Sequence, residues 1–216
     1  MLSRSNAITL AIAAAVAATL TSFGSDDAQA AFGKLGRADY CRSYGDRPIT
    51  GLSPSGARLA LLGCTNEARK ASGVPPLALD GKLIASAQSH ADRLVALRWW
   101  DEQDGETSHA DPELGGIATR IGASRFCPDG ILDPNENTFT AAGQGWDDTL
   151  GRPLEATPKA AVGWWMADPP HRATMLGTRY THVGFGVAEG FAIRADPEPT
   201  ASSPAGTFVM DVGGCR

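Results

Sequence analysis

The chain has 216 residues, 20% of them charged, and a formal net charge of −5. That length holds one domain with a sizeable core rather than two. The mild acidity excludes the broad basic face that a nucleic-acid partner needs.

Residues 1 to 30 read as a secretory leader. Arg4 gives a positive start, residues 7 to 20 form an apolar run, and A-Q-A at 28 to 30 is a small-residue cleavage signal. The mature chain is therefore expected to begin near Ala31. The run is too short to span a bilayer, and no later stretch is long enough. No cysteine stands where a lipid anchor would attach. The expected product is monomeric and exported, without a transmembrane span: secreted, or as the alternative periplasmic. Cys41, Cys64, Cys127 and Cys215 all lie in the mature part. An even count in an exported chain reads as two disulfides, with three connectivities open. A cysteine metal site lacks any C-x-x-C spacing.

Residues 31 to 54 show no clear period and read as an N-terminal extension. From Pro54 to Ser72 the pattern is helical, ended by Gly73 before Pro75-Pro76. Asp80 can cap a second helix running to about Arg98. On it Leu83, Ala87, His90, Leu94 and Leu97 form one apolar stripe, which makes His90 a satisfied core residue. Residues 101 to 134 read as a long functional loop with a helical turn around Ile117 to Ile121. Thr157-Pro158 announces a third helix through Trp165, an N-cap followed by proline at the first position. Tyr180 to Ala188 alternates as a strand, Glu189-Gly190 turns, and Phe191 to Arg194 returns. Residues 195 to 206 read as a loop, and Thr207 to Val212 as the last strand. Helices first and an antiparallel meander last predict an α+β fold with helices packed on the sheet.

Three polar residues in separate segments ask for one another: His109 in TSHAD, Glu136 in NENTF, and His171 in WWMADPPHR. They suggest one cavity lined by imidazoles and carboxylates. Asp168-Pro169-Pro170 reads as a helix N-cap followed by early-turn prolines, its carboxylate accepting the His171 N–H. Trp99, Trp100, Trp164 and Trp165 read as core and rim packing. Two neutral imidazoles with one or two carboxylates suit Zn²⁺ or another divalent transition metal. The same groups could form a general acid/base pair. There is no G-x-S-x-G elbow and no H-E-x-x-H helix, and the cysteines are committed to bridges. A nucleophile is missing unless a metal ion activates water. The chain is accordingly read as a binding protein rather than an enzyme.

T-N-E-A-R at 65–69, A-Q-S-H-A at 87–91, S-H at 108–109, N-E-N at 135–137, W-x-x-D-P-x-H-R at 165–172 and Y-T-x-V-G-F-G at 180–186 stand in a particular order. In that order they resemble the bacterial SCP-like branch of the CAP superfamily: cysteine-rich secretory proteins, antigen-5 allergens and pathogenesis-related proteins. The resemblance spans about residues 55 to 214. It implies a domain over 55–216 built as a three-layer α-β-α sandwich with a small, mainly antiparallel sheet. It also implies a cavity tetrad of His109, Glu136, Asp168 and His171, with His109 and His171 as metal ligands. Asp168 stands where the bacterial branch usually has serine and eukaryotic members have glutamate. Asn135 replaces the usual glycine before Glu136, which puts the local turn in question. His182 stands where the branch often has an acidic residue, and no role is assigned to it. The implied function is a secreted binding module for a metal and a small apolar or cell-envelope ligand. Its alternatives are a metal-dependent hydrolase or peptidase using the same cavity, and an interaction protein with a vestigial one.

Overall fold

The computed structural model describes residues 37–101, 104–143, 146–147, 152–193 and 204–216. The leader and the expected start at Ala31 lie outside them. The helices are α1 (Arg37–Tyr44), α2 (Pro54–Ala71), α3 (Gly81–Leu97), α4 (Ile117–Ala123), α5 (Pro158–Ala167) and α6 (Pro169–Leu176). The strands are β1 (Ala78–Leu79), β2 (Ile131–Ala142), β3 (Trp146–Asp147), β4 (Arg152–Pro153), β5 (His182–Glu189) and β6 (Ala205–Cys215). Short 3₁₀ turns occupy Ile49–Gly51 and Gly105–His109.

Local chemistry sets the helix ends. The Ser53 hydroxyl accepts from the Gly56 N–H to start α2, beside Pro54 in its first turn. Asp80 accepts from the Lys82 and Leu83 N–H groups to start α3, which stops where Arg98 turns left-handed at φ 52°. Thr157 caps α5 through the Ala160 N–H. Residues 37–51, read from sequence as an aperiodic extension, contain α1 and a 3₁₀ turn, and Cys41 and Ile49 are buried in the main core.

The main sheet has the order β1-β5-β6-β2, so β2 is an edge strand. β6 pairs antiparallel with both β2 and β5, and β1 adds a two-residue parallel pairing to β5. On one face α2, α5 and α6 cover Phe139, Phe185, Phe208 and Met210, with Leu61 and Trp165 wholly buried among them. On the other face α3 brings Ala87, Ala91 and Leu94 against Ala188 and Val209. This is an α+β fold with helices on both faces of a small, mainly antiparallel sheet.

The G-F-G of β5 has a packing cause. A Cβ on Gly184 would lie 2.0 Å from the Leu83 carbonyl carbon, and one on Gly186 2.0 Å from the Ala87 carbonyl oxygen. Helix α3 thus rests directly on the strand backbone, which only glycine permits.

Several boundaries differ from the sequence reading. The strand at 131–142 starts inside the expected loop, and its residues 136–141 are buried. With both faces covered, the alternation that signals a strand is lost. The expected return strand at 191–194 does not form: Ile193 makes one isolated bridge to Trp100, and Arg194 lies outside the described residues. The last strand is longer than expected and reaches Cys215. The disulfides are Cys41–Cys64, joining α1 to α2, and Cys127–Cys215, tying the approach to β2 to the end of β6. Among the described residues no helix is long and apolar enough to cross a membrane.

Candidate functional site at the edge of the sheet

A cavity of about 390 Å³ lies along β2, with Asn135 to Thr140 in its wall. Trp100, Ile117, Phe139, Trp164 and Ile193 give it apolar surface, while His109, Glu136 and His171 bring the polar groups. His109 ends the 3₁₀ turn. That turn is pinned where the hydroxyls of Ser108 and Thr138 lie 2.8 Å apart. Glu136 projects from β2 beside a register shift between Leu132 and Asn135. The Asn135 side chain accepts from the Glu136 N–H at 2.8 Å. A side chain therefore takes up the local turn that the Asn135 departure from the resembled pattern put in question.

His171 lies just past the end of α5 at Ala167, and the Asp168 cap expected from the sequence is present. This histidine sits in the first turn of a helix of its own, capped by Asp168. The Asp168 carboxylate accepts from the His171 N–H at 3.4 Å and from the ring Nδ1 at 2.6 Å. The cap and the ring contact thus coexist. Asp168 does not line the cavity and reaches it through His171.

The His109 Nδ1 makes the matching bond, 2.8 Å to Glu136 Oε1. Because a carboxylate can only accept, both rings carry their proton on Nδ1. Each Nε2 is then an acceptor, with no partner among the described residues. Carboxylates in this outer position fix the ring and its tautomer, and are the usual support of a metal-ligating imidazole. No three His, Cys, Asp or Glu side chains among the described residues are grouped to hold a metal ion by themselves. The donor set offered is two imidazole nitrogens.

Sequence reasoning missed Arg120. From the short helix α4 its guanidinium bonds Glu136 Oε2 and donates to the carbonyls of His109 and Gly115. It is 6% exposed, and Glu136 3%. Burial alone would raise the Glu136 pKa. The His109 hydrogen bond and the Arg120 charge outweigh it and hold the carboxyl below the usual range. The only sequence signal was a lone arginine beside Ile121 on a short helical turn.

His90 is buried on α3 as expected, but not fully satisfied. Its Nε2 donates to the Ser108 carbonyl at 2.8 Å and lies 3.6 Å from Glu136 Oε1, while Nδ1 is buried without a partner. Burial keeps this ring neutral, outweighing the pull of Glu136. Trp165 is core and donates to the Thr138 carbonyl; Trp99 donates to the Thr107 carbonyl; Trp100 and Trp164 face the cavity. His182 bonds the Thr181 hydroxyl away from the site.

The model of the CAP family, the cysteine-rich secretory protein family, matches residues 62–195. No functionally curated protein matches the chain. Among solved structures it is similar to an extracellular SCP-domain protein from Bacillus anthracis, at 17% identity and TM-score 0.53, over 76% of this chain and 44% of that one. It thus spans less than half the length of the Bacillus protein. An outer surface protein from Borrelia burgdorferi aligns at 17% identity and TM-score 0.47, over 72% of this chain and 90% of that one. A cysteine-rich secretory protein from Staphylococcus aureus aligns at 14% identity and TM-score 0.42, over 77% and 40%. The matched span exceeds half of the sequence and contains His109, Glu136, Asp168 and His171: the chain belongs to the CAP family.

Proposed function

We propose that this is a secreted CAP-domain binding protein whose cavity takes a divalent transition metal, such as Zn²⁺, through Nε2 of His109 and His171. Glu136 and Asp168 orient the two rings from outside. The observation that carries this reading is the duplicated pattern: each Nδ1 is held by a carboxylate, which leaves each Nε2 lone pair for the cavity. The apolar wall of Trp100, Phe139 and Trp164 supports a small apolar or amphipathic ligand beside the ion. Two disulfides and the leader-like first thirty residues support export. The extracellular description of the Bacillus protein agrees with that placement.

One observation favours the hydrolase alternative. A site with only two protein ligands leaves coordination positions open, as catalytic sites do and closed structural sites do not. Bound there, an ion would supply Lewis acidity. Against catalysis, Glu136 is tied to both His109 and Arg120 and is not free to accept a proton from substrate. Metal analysis of the purified protein, repeated on His171→Ala, tests the binding claim. Bound metal should be present and then lost. Equal metal content in both would refute it. Metal-dependent ester or peptide hydrolysis, abolished by the same substitution, would establish the hydrolase instead.

A further inference from the structure

The cavity accounts for one side of Glu136. On its other side stands a second carboxyl group. Glu136 and Asp211 are direct partners in the β2–β6 register, and Asp211 is wholly buried. Side chains so paired lie about 5 Å apart at Cβ. Two carboxylates that close, sealed from water, do not both ionise.

The surrounding groups decide which of the two keeps a proton. Those acting on Asp211 are Ser86 from α3, Arg120 from α4 and Glu136 from β2, with His90 of α3 beside Glu136; its partner on β5 is Gly184, which has no side chain. Arg120 is the one fixed cation, and it bonds Glu136. His90 is neutral, with its N–H given to Ser108. Glu136 receives donors on both of its oxygens, so it is the ionised member. Asp211 has no ion-pair partner of its own; only the Ser86 hydroxyl and the charge of Arg120, already bonded to Glu136, favour its ionised form. His90 Nδ1 and Arg120 Nε are buried without partners. The enclosure therefore holds one fixed cation for two carboxyl groups, and a second carboxylate in it would be poorly compensated. Burial, and then the charge of Glu136, push the Asp211 carboxyl well above its usual range.

We propose that Asp211 is a positioning residue for the cavity: as a neutral acid it donates its O–H to Glu136, and so fixes the carboxylate that orients His109. The inference rests on the reading of His109 as a cavity ligand, but its test does not require metal. The variant Asp211→Asn is neutral at every pH and keeps a donor; Asp211→Val keeps neither oxygen nor donor. Wild-type Asp211 takes up a proton on folding, so its contribution is present in acid and lost as pH rises above 3.8, the ordinary aspartate value. Asp211→Asn should therefore melt above wild type at neutral pH, with the gap closing towards pH 3.8. An Asn variant that melts below wild type at neutral pH, and recovers in acid, would mean an ionised Asp211 and overturn the proposal. On metal-free protein, ¹⁵N NMR should show the same His109 tautomer in wild type and Asp211→Asn. In Asp211→Val the Nδ1–H preference should be lost at His109 and kept at His171. An unchanged His109 in a folded Val variant would overturn the positioning role. If the Val variant does not fold, the sign of the Asn gap still decides. Failure of wild type to bind metal would sink the proposed function and leave both readouts intact.

Discussion

His109 and His171 each hold a carboxylate at Nδ1, but the two pairs draw on very different amounts of the fold. The His171–Asp168 pair is local. Both residues belong to the start of α6, and their side chains are 23% and 30% exposed. The His109–Glu136 pair is assembled from a 3₁₀ turn and an edge strand, with Arg120 of α4 behind it and Asp211 of β6 beside it. Its glutamate side chain is fully buried. The same carboxylate–imidazole contact is thus made once by a helix cap and once by four elements converging. The first costs the fold little. The second commits charged groups to the interior, where losing any partner is expensive.

The largest test of that contrast removes a partner from the buried pair. Arg120→Leu leaves Glu136 ionised without its cation, and should cost about 3–5 kcal/mol. Urea denaturation with an unchanged slope would measure it. A loss under about 1 kcal/mol would mean that the buried arm is no more demanding than a surface pair.

On the exposed arm the main loss should fall on ligand affinity. Asp168→Asn is expected to weaken Zn²⁺ binding about 10–100-fold by releasing the His171 ring. Isothermal calorimetry reads this directly, and an unchanged Kd would remove Asp168 from the site. Its effect on the fold should be smaller. Asp168→Ala deletes the α6 cap, worth about 1 kcal/mol. A cost near that of Arg120→Leu would abolish the distinction between the arms.

The smallest effect concerns acid sensitivity. Burial holds the His90 pKa below its ordinary 6.5. Its contribution is therefore complete above 6.5 and lost as pH falls from there through the folded value. Glu136, also depressed, adds a second loss below its ordinary 4.5. The stability difference between wild type and His90→Gln should be constant above pH 6.5 and shrink on acidification. A difference that stays flat to pH 5 would show that His90 titrates as a solvated histidine.

The same contrast explains what the sequence could disclose. The Asp168 cap was legible because cap, prolines and histidine are neighbours in the chain, and the chemistry of a helix start is local. The helices at 54–71 and 81–97 were legible for the same reason. His109, Glu136 and His171 could be paired only through the order of the family motifs, since nothing local links residues 27 or more positions apart. Arg120 and Asp211 were not found. Arg120 stands on a short turn inside an apparent loop. Asp211 is one ionisable residue in the apolar run F-V-M-D-V of the last strand. Such an ionisable residue inside a strand buried on both faces is the signal that could have been followed. The expected return strand at 191–194 failed because burial of Ala192 and Ile193 came without ladder pairing.

Two differently built pairs are proposed to serve one metal site. Zn²⁺ calorimetry on wild type, His109→Ala, His171→Ala and the double variant tests that proposal. Each single substitution should remove most of the affinity, and the double variant should bind no worse than either, because two ligands of one ion are not additive. A single variant that binds like wild type, or losses that add as for two independent sites, would contradict it.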